Sequence, residues 1–256
     1  MRYGPPYPDT MPSRIGRHIV HLAETDSTNT RAAELAADPA NHGTVVTADV
    51  QTRGRGQYGR TWQSPPGANV LLSALLFPPP ELRRPSILTA FAAVVVVETV
   101  ARSAGPIATL KWPNDVLVGG KKVCGILSEA GIKSAESGPH FVVGIGLNVN
   151  LSADDFARMD LPDATSLSIL AGRPLDVPAV RTSLIESLDA EYSRLLTGGL
   201  GDLEARWAAA VGRLGEPVTV ERMDGSTVQG RLAALTFDEV VVGRTRLVPE
   251  EVRHVR

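Results

Sequence analysis

The 256-residue chain has a single cysteine, Cys124. An internal disulfide is therefore impossible, a cysteine-built zinc site is excluded with it, and a cytoplasmic protein is expected. An excess of one charge is also missing: charged residues make up 21% and the formal net charge is −2. A protein that grips nucleic acid through bulk charge carries a basic face or domain, so this balance argues against that class. The stretch MRYGPPYPDTMPSRIG at the N-terminus lacks the apolar run of a signal peptide. It is rich in Pro and Gly, and residues 1–16 are expected to form a loose tail. The most apolar stretch, residues 87–101, carries Glu98 and is short for a bilayer span, which points to a buried helix and no membrane segment. Internal repeats and low-complexity segments are lacking as well.

What is present is 43% hydrophobic content, enough for one sizeable core and a small appended module. Residues 18–24, 44–50, 69–77, 108–112 and 141–149 read as strands, and residues 115–118 and 122–129 read as a hairpin turned by Gly119 and Gly120. Ser27, Thr28 and Asn29 are helix-capping types ahead of an Ala/Leu/Glu-rich run. Further helices are expected over residues 86–102, 177–196 and 202–210. Beyond Gly212 the chain breaks into five short β-rich runs separated by turn pairs, the pattern of a small barrel. The expected fold is α+β, a mixed sheet flanked by helices with a small C-terminal β-barrel. The divisions are a tail over 1–16, a main domain over 17–211 and a small domain over 212–256.

Five stretches carry residues suited to chemistry. QTRGRGQYGRTW, residues 51–62, alternates glycine with arginine, supplying backbone freedom and guanidinium donors for a phosphate or carboxylate. It lacks the G-K-[ST] ending of a Walker loop and the following helix of a dinucleotide fingerprint. On charge pattern alone a solvated basic loop fits as well; Trp62 favours a loop that covers a ring or apolar ligand. KWPND, residues 111–115, leaves an Asn and an Asp at the end of a strand. That carboxylate can hold Mg²⁺ with phosphate oxygens or accept a proton from an amine, although Pro-Asn-Asp is also ordinary turn chemistry. In GGKKVCGILSE, residues 119–129, either lysine points inward if the strand alternates, or both are solvated. GIGLNVN, residues 144–150, places Gly and Asn inside an apolar strand, where close approach of a ligand and a tight packing contact are equal readings. Ser27–Thr28–Asn29 offers hydroxyls and N–H groups at a helix start, for capping or for a small polar head group.

Taken together and in this order, these segments resemble the catalytic domain of the biotin protein ligases, whose pattern runs S-T-N, Q-x-x-G-R-G-R-x-G-R-x-W, K-W-P-N-D, K-x-x-G-I-L-x-E, G-x-G-x-N. The resemblance covers the chain from about Ile19 to the C-terminus. It implies a class II synthetase-like catalytic domain followed by an SH3-like barrel. It also implies a two-step reaction in which the biotin carboxylate attacks the α-phosphate of MgATP and a lysine of a carrier protein then takes the biotinyl group. Biotin and ATP are the implied substrates and Mg²⁺ the implied ion, with no tightly bound prosthetic group. The implied partner is the biotin carboxyl carrier domain of acyl-CoA carboxylase or pyruvate carboxylase, with no nucleic acid and no membrane.

Carried onto this sequence, the resemblance makes Lys122, Arg55 and Asp115 the catalytic residues, with Asp115 orienting or deprotonating the incoming amine. Ser27, Thr28, Asn29, Gln51 and Gly125 are implied for biotin, with Gly54 and Trp62 along its apolar sides and Arg55 and Lys122 near its carboxyl. Arg55, Gln57, Arg60, Trp62, Lys111, Asn114, Asp115 and Asn148 are implied for the nucleotide, with Asp115 and Asn148 near Mg²⁺. The chain departs from the pattern at Gln57, which stands where the family has arginine, so one phosphate or loop-anchoring contact is in doubt. Cys124, beside Gly125, reads as a small buried residue. About seventeen residues precede the first expected strand, too few for the helix-turn-helix that some family members carry. A ligase without DNA-binding activity, monomeric or homodimeric, is therefore expected. The glycine-arginine loop is expected to order when biotin or the adenylate binds. Two rivals stand behind: a lipoate–protein ligase, which lacks the paired loop and KWPND motifs, and a non-catalytic biotin sensor, which has no need of Lys122 and Asp115.

Overall fold

The computed structural model describes residues 15–132 and 138–256. Its elements in chain order are β1 (Ile19–Thr25), α1 (Thr28–Glu34), β2 (Val45–Gln51), β3 (Asn69–Leu76), α2 (Pro85–Ala104), β4 (Thr109–Lys111), β5 (Asp115–Val118), β6 (Lys121–Ile132) and β7 (Pro139–Asn148). There follow α3 (Ala153–Arg158), α4 (Leu167–Ala171), α5 (Val177–Leu196), α6 (Leu200–Val211), β8 (Pro217–Arg222), β9 (Thr227–Leu235), β10 (Val240–Val242), β11 (Thr245–Leu247) and β12 (Val252–Val255). Each strand and long helix read from the sequence is present within a few residues. The short helices α3 and α4 are additional. They start at Ser152 and Ser166, whose hydroxyls accept from the N–H groups of Asp155 and Ile169, and Ser152 with Asp155 completes a capping box.

β1 to β7 form one mixed sheet in the order β1-β2-β3-β7-β6-β5-β4, parallel only between β1 and β2. β3 is buried along its whole length. One of its faces receives α1 through a small cluster of Ala32, Ala36, Val46, Leu75, Phe77 and Val142, and the other belongs to the main core. α2 has a mean hydropathy of 1.7, apolar and long enough to cross a membrane. Here it is a core helix, buried from Ile87 through Val96 between the sheet and the helices α4, α5 and α6.

The expected N-terminal tail lies mostly outside the described residues, but its last two members do not behave as a tail. Ile15 is buried in the main core, its N–H donates to Asp189 Oδ1 (2.7 Å), and Gly16 N–H donates to the Gly43 carbonyl.

The C-terminal strands depart from the expected barrel. Among the described residues they form an open sheet in the order β11-β10-β9-β8-β12, without pairing between β11 and β12. The physical reason is that this sheet has another surface to cover. Val218, Val220, Leu232, Leu235 and Val240 join the same core as α6 and β4. Trp207 stacks on Phe237 (ring centroids 5.1 Å apart) and meets Trp112 at a tilt (5.5 Å), and Trp112 Nε1–H donates to the Val252 carbonyl (3.1 Å). The tryptophan of KWPND is thus an anchor for the C-terminal sheet.

Candidate functional site

The glycine-arginine stretch is built as a tight hairpin. Trp62 N–H donates to the Gly54 carbonyl (2.9 Å), Gly56 N–H to the Arg60 carbonyl (2.7 Å), and Arg60 N–H to the Gln57 carbonyl (3.2 Å). At its tip Tyr58 and Gly59 are both left-handed (φ 57° and 75°), as a two-residue hairpin turn requires. Arg53 points away, its guanidinium 3.4 Å from Asp26 Oδ2. Arg55 reaches back to β6 and donates to Glu129 Oε2 (2.8 Å).

Between this hairpin and the sheet lies a cavity of about 740 Å³, within the range of small-molecule sites. Ser27, Thr28, Asn29, Gln51, Arg55, Gln57, Arg60, Trp62, Lys111, Asn114, Asp115, Lys122, Gly125 and Asn148 all line it. Five segments far apart in the chain therefore converge on one space.

Gly54 is the exception. It is buried at the base of the hairpin and lines a neighbouring cavity of about 730 Å³. A Cβ at Gly54 would overlap the Trp62 carbonyl oxygen, so the close cross-strand approach, and not a ligand wall, explains this glycine.

The floor is the pair β6–β7, with Gly125 directly opposite Gly146. The Trp62 indole lies against both: a Cβ at Gly146 would stand 2.5 Å from its Cε2, and one at Gly125 2.9 Å from its Cζ3. Lys122 Nζ sits 5.5 Å from the indole centroid and 2.6 Å from Asp115 Oδ1. The ammonium therefore has an aromatic face on one side and a carboxylate on the other, and its side chain is only 32% exposed. Its backbone pairs with the segment before α4: Lys122 N–H donates to the Asp163 carbonyl (2.7 Å) and Thr165 N–H to the Lys122 carbonyl (2.8 Å).

At the other end Gln51 Oε1 accepts from Thr28 N–H (2.7 Å) and lies 3.1 Å from the Thr28 hydroxyl, tying the end of β2 to the start of α1. Ser27 occupies the cap position but its side chain makes no capping bond, which leaves the hydroxyl on the cavity wall.

Asn29 is committed within the protein. Its amide donates to the Leu127 carbonyl (3.2 Å) and Glu129 Oε2 (2.7 Å), and its carbonyl accepts from Ser73 Oγ (2.5 Å). A Cβ at Gly144 would overlap Asn29 Oδ1. The glycines of the GIGLNVN stretch are thus accounted for by protein side chains: Asn29 requires Gly144 and Trp62 requires Gly146. Asn114 Nδ2 donates to the Ile126 carbonyl (2.7 Å) and so fixes the turn after Trp112.

Asp115 and Asn148 do not fit a protein-built magnesium site. The Asp115 carboxylate is paired with Lys122, Asn148 Nδ2 donates to the Thr165 carbonyl (3.1 Å), and its Oδ1 faces Asn69 Nδ2 (3.4 Å). Among the described residues no group of three or more His, Cys, Asp or Glu side chains is placed to hold a metal.

Several lining residues escape the sequence reading, polar and aromatic ones among them. Phe156 and Asp160 come from α3 and the turn after it, while His254 and Arg256 come from the last residues of the chain. Burial, aided by the cations Arg256, Arg253 and Arg60 against an opposing effect of Glu221, holds the His254 imidazole below its ordinary pKa. The tip residue Tyr58 sits with the Arg253 guanidinium 4.9 Å over its ring and His254 at 6.3 Å edge-on. Sequence carries no signal for these contacts, because they depend on where the C-terminal sheet docks. Cys124 is fully buried, and burial pushes its thiol pKa up.

A sequence model of the Biotin/lipoate A/B protein ligase family matches residues 22–150. The bifunctional ligase/repressor BirA of Bacillus spizizenii is 33% identical over 232 residues, covering 91% of this chain and 71% of that protein. The biotin–[acetyl-CoA-carboxylase] ligase of Paracoccus denitrificans is 36% identical over 204 residues, 77% of this chain and 82% of its own length. The biotin protein ligase of Aquifex aeolicus, solved in complex with biotin and ATP, superposes with a TM-score of 0.74 at 26% identity, covering 94% of this chain and 99% of that one.

Proposed function

The chain belongs to the biotin/lipoate A/B protein ligase family, and on that premise we propose the following reading of its cavity. The protein is an ATP-dependent biotin–protein ligase. In the first step a biotin carboxylate oxygen bonds to the α-phosphorus of ATP, the bond to the β-phosphate oxygen breaks, and pyrophosphate leaves. In the second, the amine of a carrier lysine attacks the acyl carbon, loses a proton, and AMP leaves with the electron pair of the broken acyl–oxygen bond.

Both steps develop negative charge around phosphorus, and preorganised cations facing that charge lower the barrier. Lys122 and Arg55 are the residues assigned to this work, with Arg60 and Lys111 lining the same cavity. Asp115 holds the Lys122 ammonium at 2.6 Å in the resting site. Once the ammonium turns to the acyl phosphate, the Asp115 carboxylate is available to accept the proton of the incoming amine. Ser27, Thr28 and Gln51 supply the polar end of the biotin pocket, and Trp62 its apolar wall. The hairpin excludes water from an anhydride that water would destroy. Magnesium would be carried by the nucleotide phosphates, as is usual for that ion. The partner is a biotin carboxyl carrier domain, of an acyl-CoA or pyruvate carboxylase. We read 17–211 as the catalytic unit and 212–256 as its buttress, since His254 and Arg256 close one side of the cavity.

The observation that carries this reading is the convergence of five separated motifs on one cavity, with Lys122 held between Asp115 and the Trp62 ring. The test is streptavidin-detected transfer of biotin to a carrier domain, with Lys122→Ala as control. Labelling that persists in Lys122→Ala, or is absent in the parent, overturns it. Thermal shift separates the two branches of the family: biotin, and not lipoate or octanoate, raises Tm.

A further inference from the structure

Two motif residues have no part in the chemistry above: Asn29, which is 4% exposed, and Glu129, the last residue of the KVCGILSE stretch. They meet. Glu129 Oε2 accepts from Asn29 Nδ2 at 2.7 Å and from the Arg55 guanidinium at 2.8 Å. We propose that Asn29 and Glu129 are positioning residues that aim Arg55 at the reacting phosphate. The proposal deepens the ligase reading and rests on it for what Arg55 does.

Glu129 and Arg55 differ in stiffness. Glu129 lies on β6, where it pairs with Val142 of β7. Its carboxylate is held by an amide that has no freedom of its own. Asn29 spends its second N–H on the Leu127 carbonyl (3.2 Å), its carbonyl accepts from buried Ser73 Oγ (2.5 Å), and the missing side chain of Gly144 makes room for it. A rigid chain thus runs from β3 through α1 to β6.

Arg55 is the opposite case: a long side chain, 45% exposed, on a hairpin. Left alone it would populate many rotamers. When a stiff partner and a flexible one share a bond, the stiff one sets the position. A guanidinium has five N–H donors, and among the described residues only Glu129 takes one from Arg55. The others remain to receive a phosphate while Glu129 keeps its grip. The pair is part-exposed, with side chains 45% and 36% accessible, so it orients Arg55 without locking it.

The experiment compares Glu129→Ala, Glu129→Gln, Arg55→Ala and the Arg55→Ala/Glu129→Ala double variant in biotin-dependent pyrophosphate release, with limited trypsin digestion of each without ligand. Glu129→Ala is expected to lower kcat about tenfold while the biotin KM moves less than about twofold, since orientation of a cation acts on the transition state. Glu129→Gln, which keeps the shape and an acceptor, falls between Glu129→Ala and the parent, a grading that a general folding defect does not produce. The double variant is no slower than Arg55→Ala alone, because both changes act through one group. Trypsin cleaves after Arg55 severalfold faster in Glu129→Ala than in the parent, while cleavage after Arg60 is unchanged. Additive losses in the double variant, or equal cleavage after Arg55, overturn the proposal. A parent enzyme that releases no pyrophosphate sinks the ligase reading instead, and the digestion still decides whether Glu129 holds Arg55.

Discussion

Replacing Lys122 by Met removes the ammonium and keeps most of the stem. The structure separates what this does to the fold from what it does to the rate. Lys122 Nζ is 2.6 Å from Asp115 Oδ1, in a pair whose side chains are 32% and 17% exposed. A pair of that exposure contributes about 1 kcal/mol, and leaving Asp115 without its partner brings the total to about 1–2 kcal/mol. In a chain of this size that lowers Tm by roughly 2–8 °C. The catalytic loss is larger. Removing one preorganised charge that faces a developing oxyanion costs about 3–4 kcal/mol, or about 10²–10³ in rate. Lys122→Arg keeps the charge but not the shape. A planar guanidinium cannot take the place of the compact ammonium 2.6 Å from Asp115 Oδ1 and 5.5 Å from the Trp62 centroid without changing both contacts. It too should lose at least tenfold. The assay is pyrophosphate release with biotin and ATP beside thermal unfolding of each variant. A Lys122→Met enzyme within about threefold of the parent rate, with Tm unmoved, would refute the reasoning.

Gly146→Ala puts a methyl 2.5 Å from Trp62 Cε2, so the indole must leave the floor; overpacking of this kind costs about 1–3 kcal/mol, and a lower Tm with weaker biotin binding by calorimetry is expected, unchanged values of both counting against the packing described. Burial brings the His42 pKa down to about 4 from the ordinary 6.5, while its ring accepts from Phe77 N–H. Between those two values the unfolded chain binds the extra proton, so stability is full above about pH 6.5 and falls as pH drops toward 4, by on the order of 2 kcal/mol at pH 4.5. Urea unfolding across that range checks this, and His42→Asn, which keeps an acceptor, should flatten the slope. Cys124 is fully buried with its thiol pKa pushed up, so the native protein should resist a thiol reagent that labels it readily in denaturant; labelling at equal rates in both would contradict that burial.

The sequence alone determined the elements and, through the resemblance, the candidates for the site. Alternating and continuous apolar runs decide whether a stretch becomes strand or core helix, so β3, α2 and α5 lie close to where the residues say. The resemblance of five ordered motifs to the biotin protein ligases, and no single motif, named Arg55, Trp62, Asp115, Lys122 and Asn148 together. Only the tertiary structure decided what each residue touches. Asn29 reads as a ligand residue along the chain, yet Ser73, Leu127 and Glu129, which are distant in sequence, engage its whole amide. The motif glycines turned out to make room for Asn29 and Trp62, and the C-terminal strands form an open sheet whose Phe237 packs on Trp207 and, through it, on Trp112. Local propensity acts over a few neighbouring residues, whereas a buried hydrogen bond or a ring contact is fixed by which surfaces meet, and that is settled only when the whole core closes.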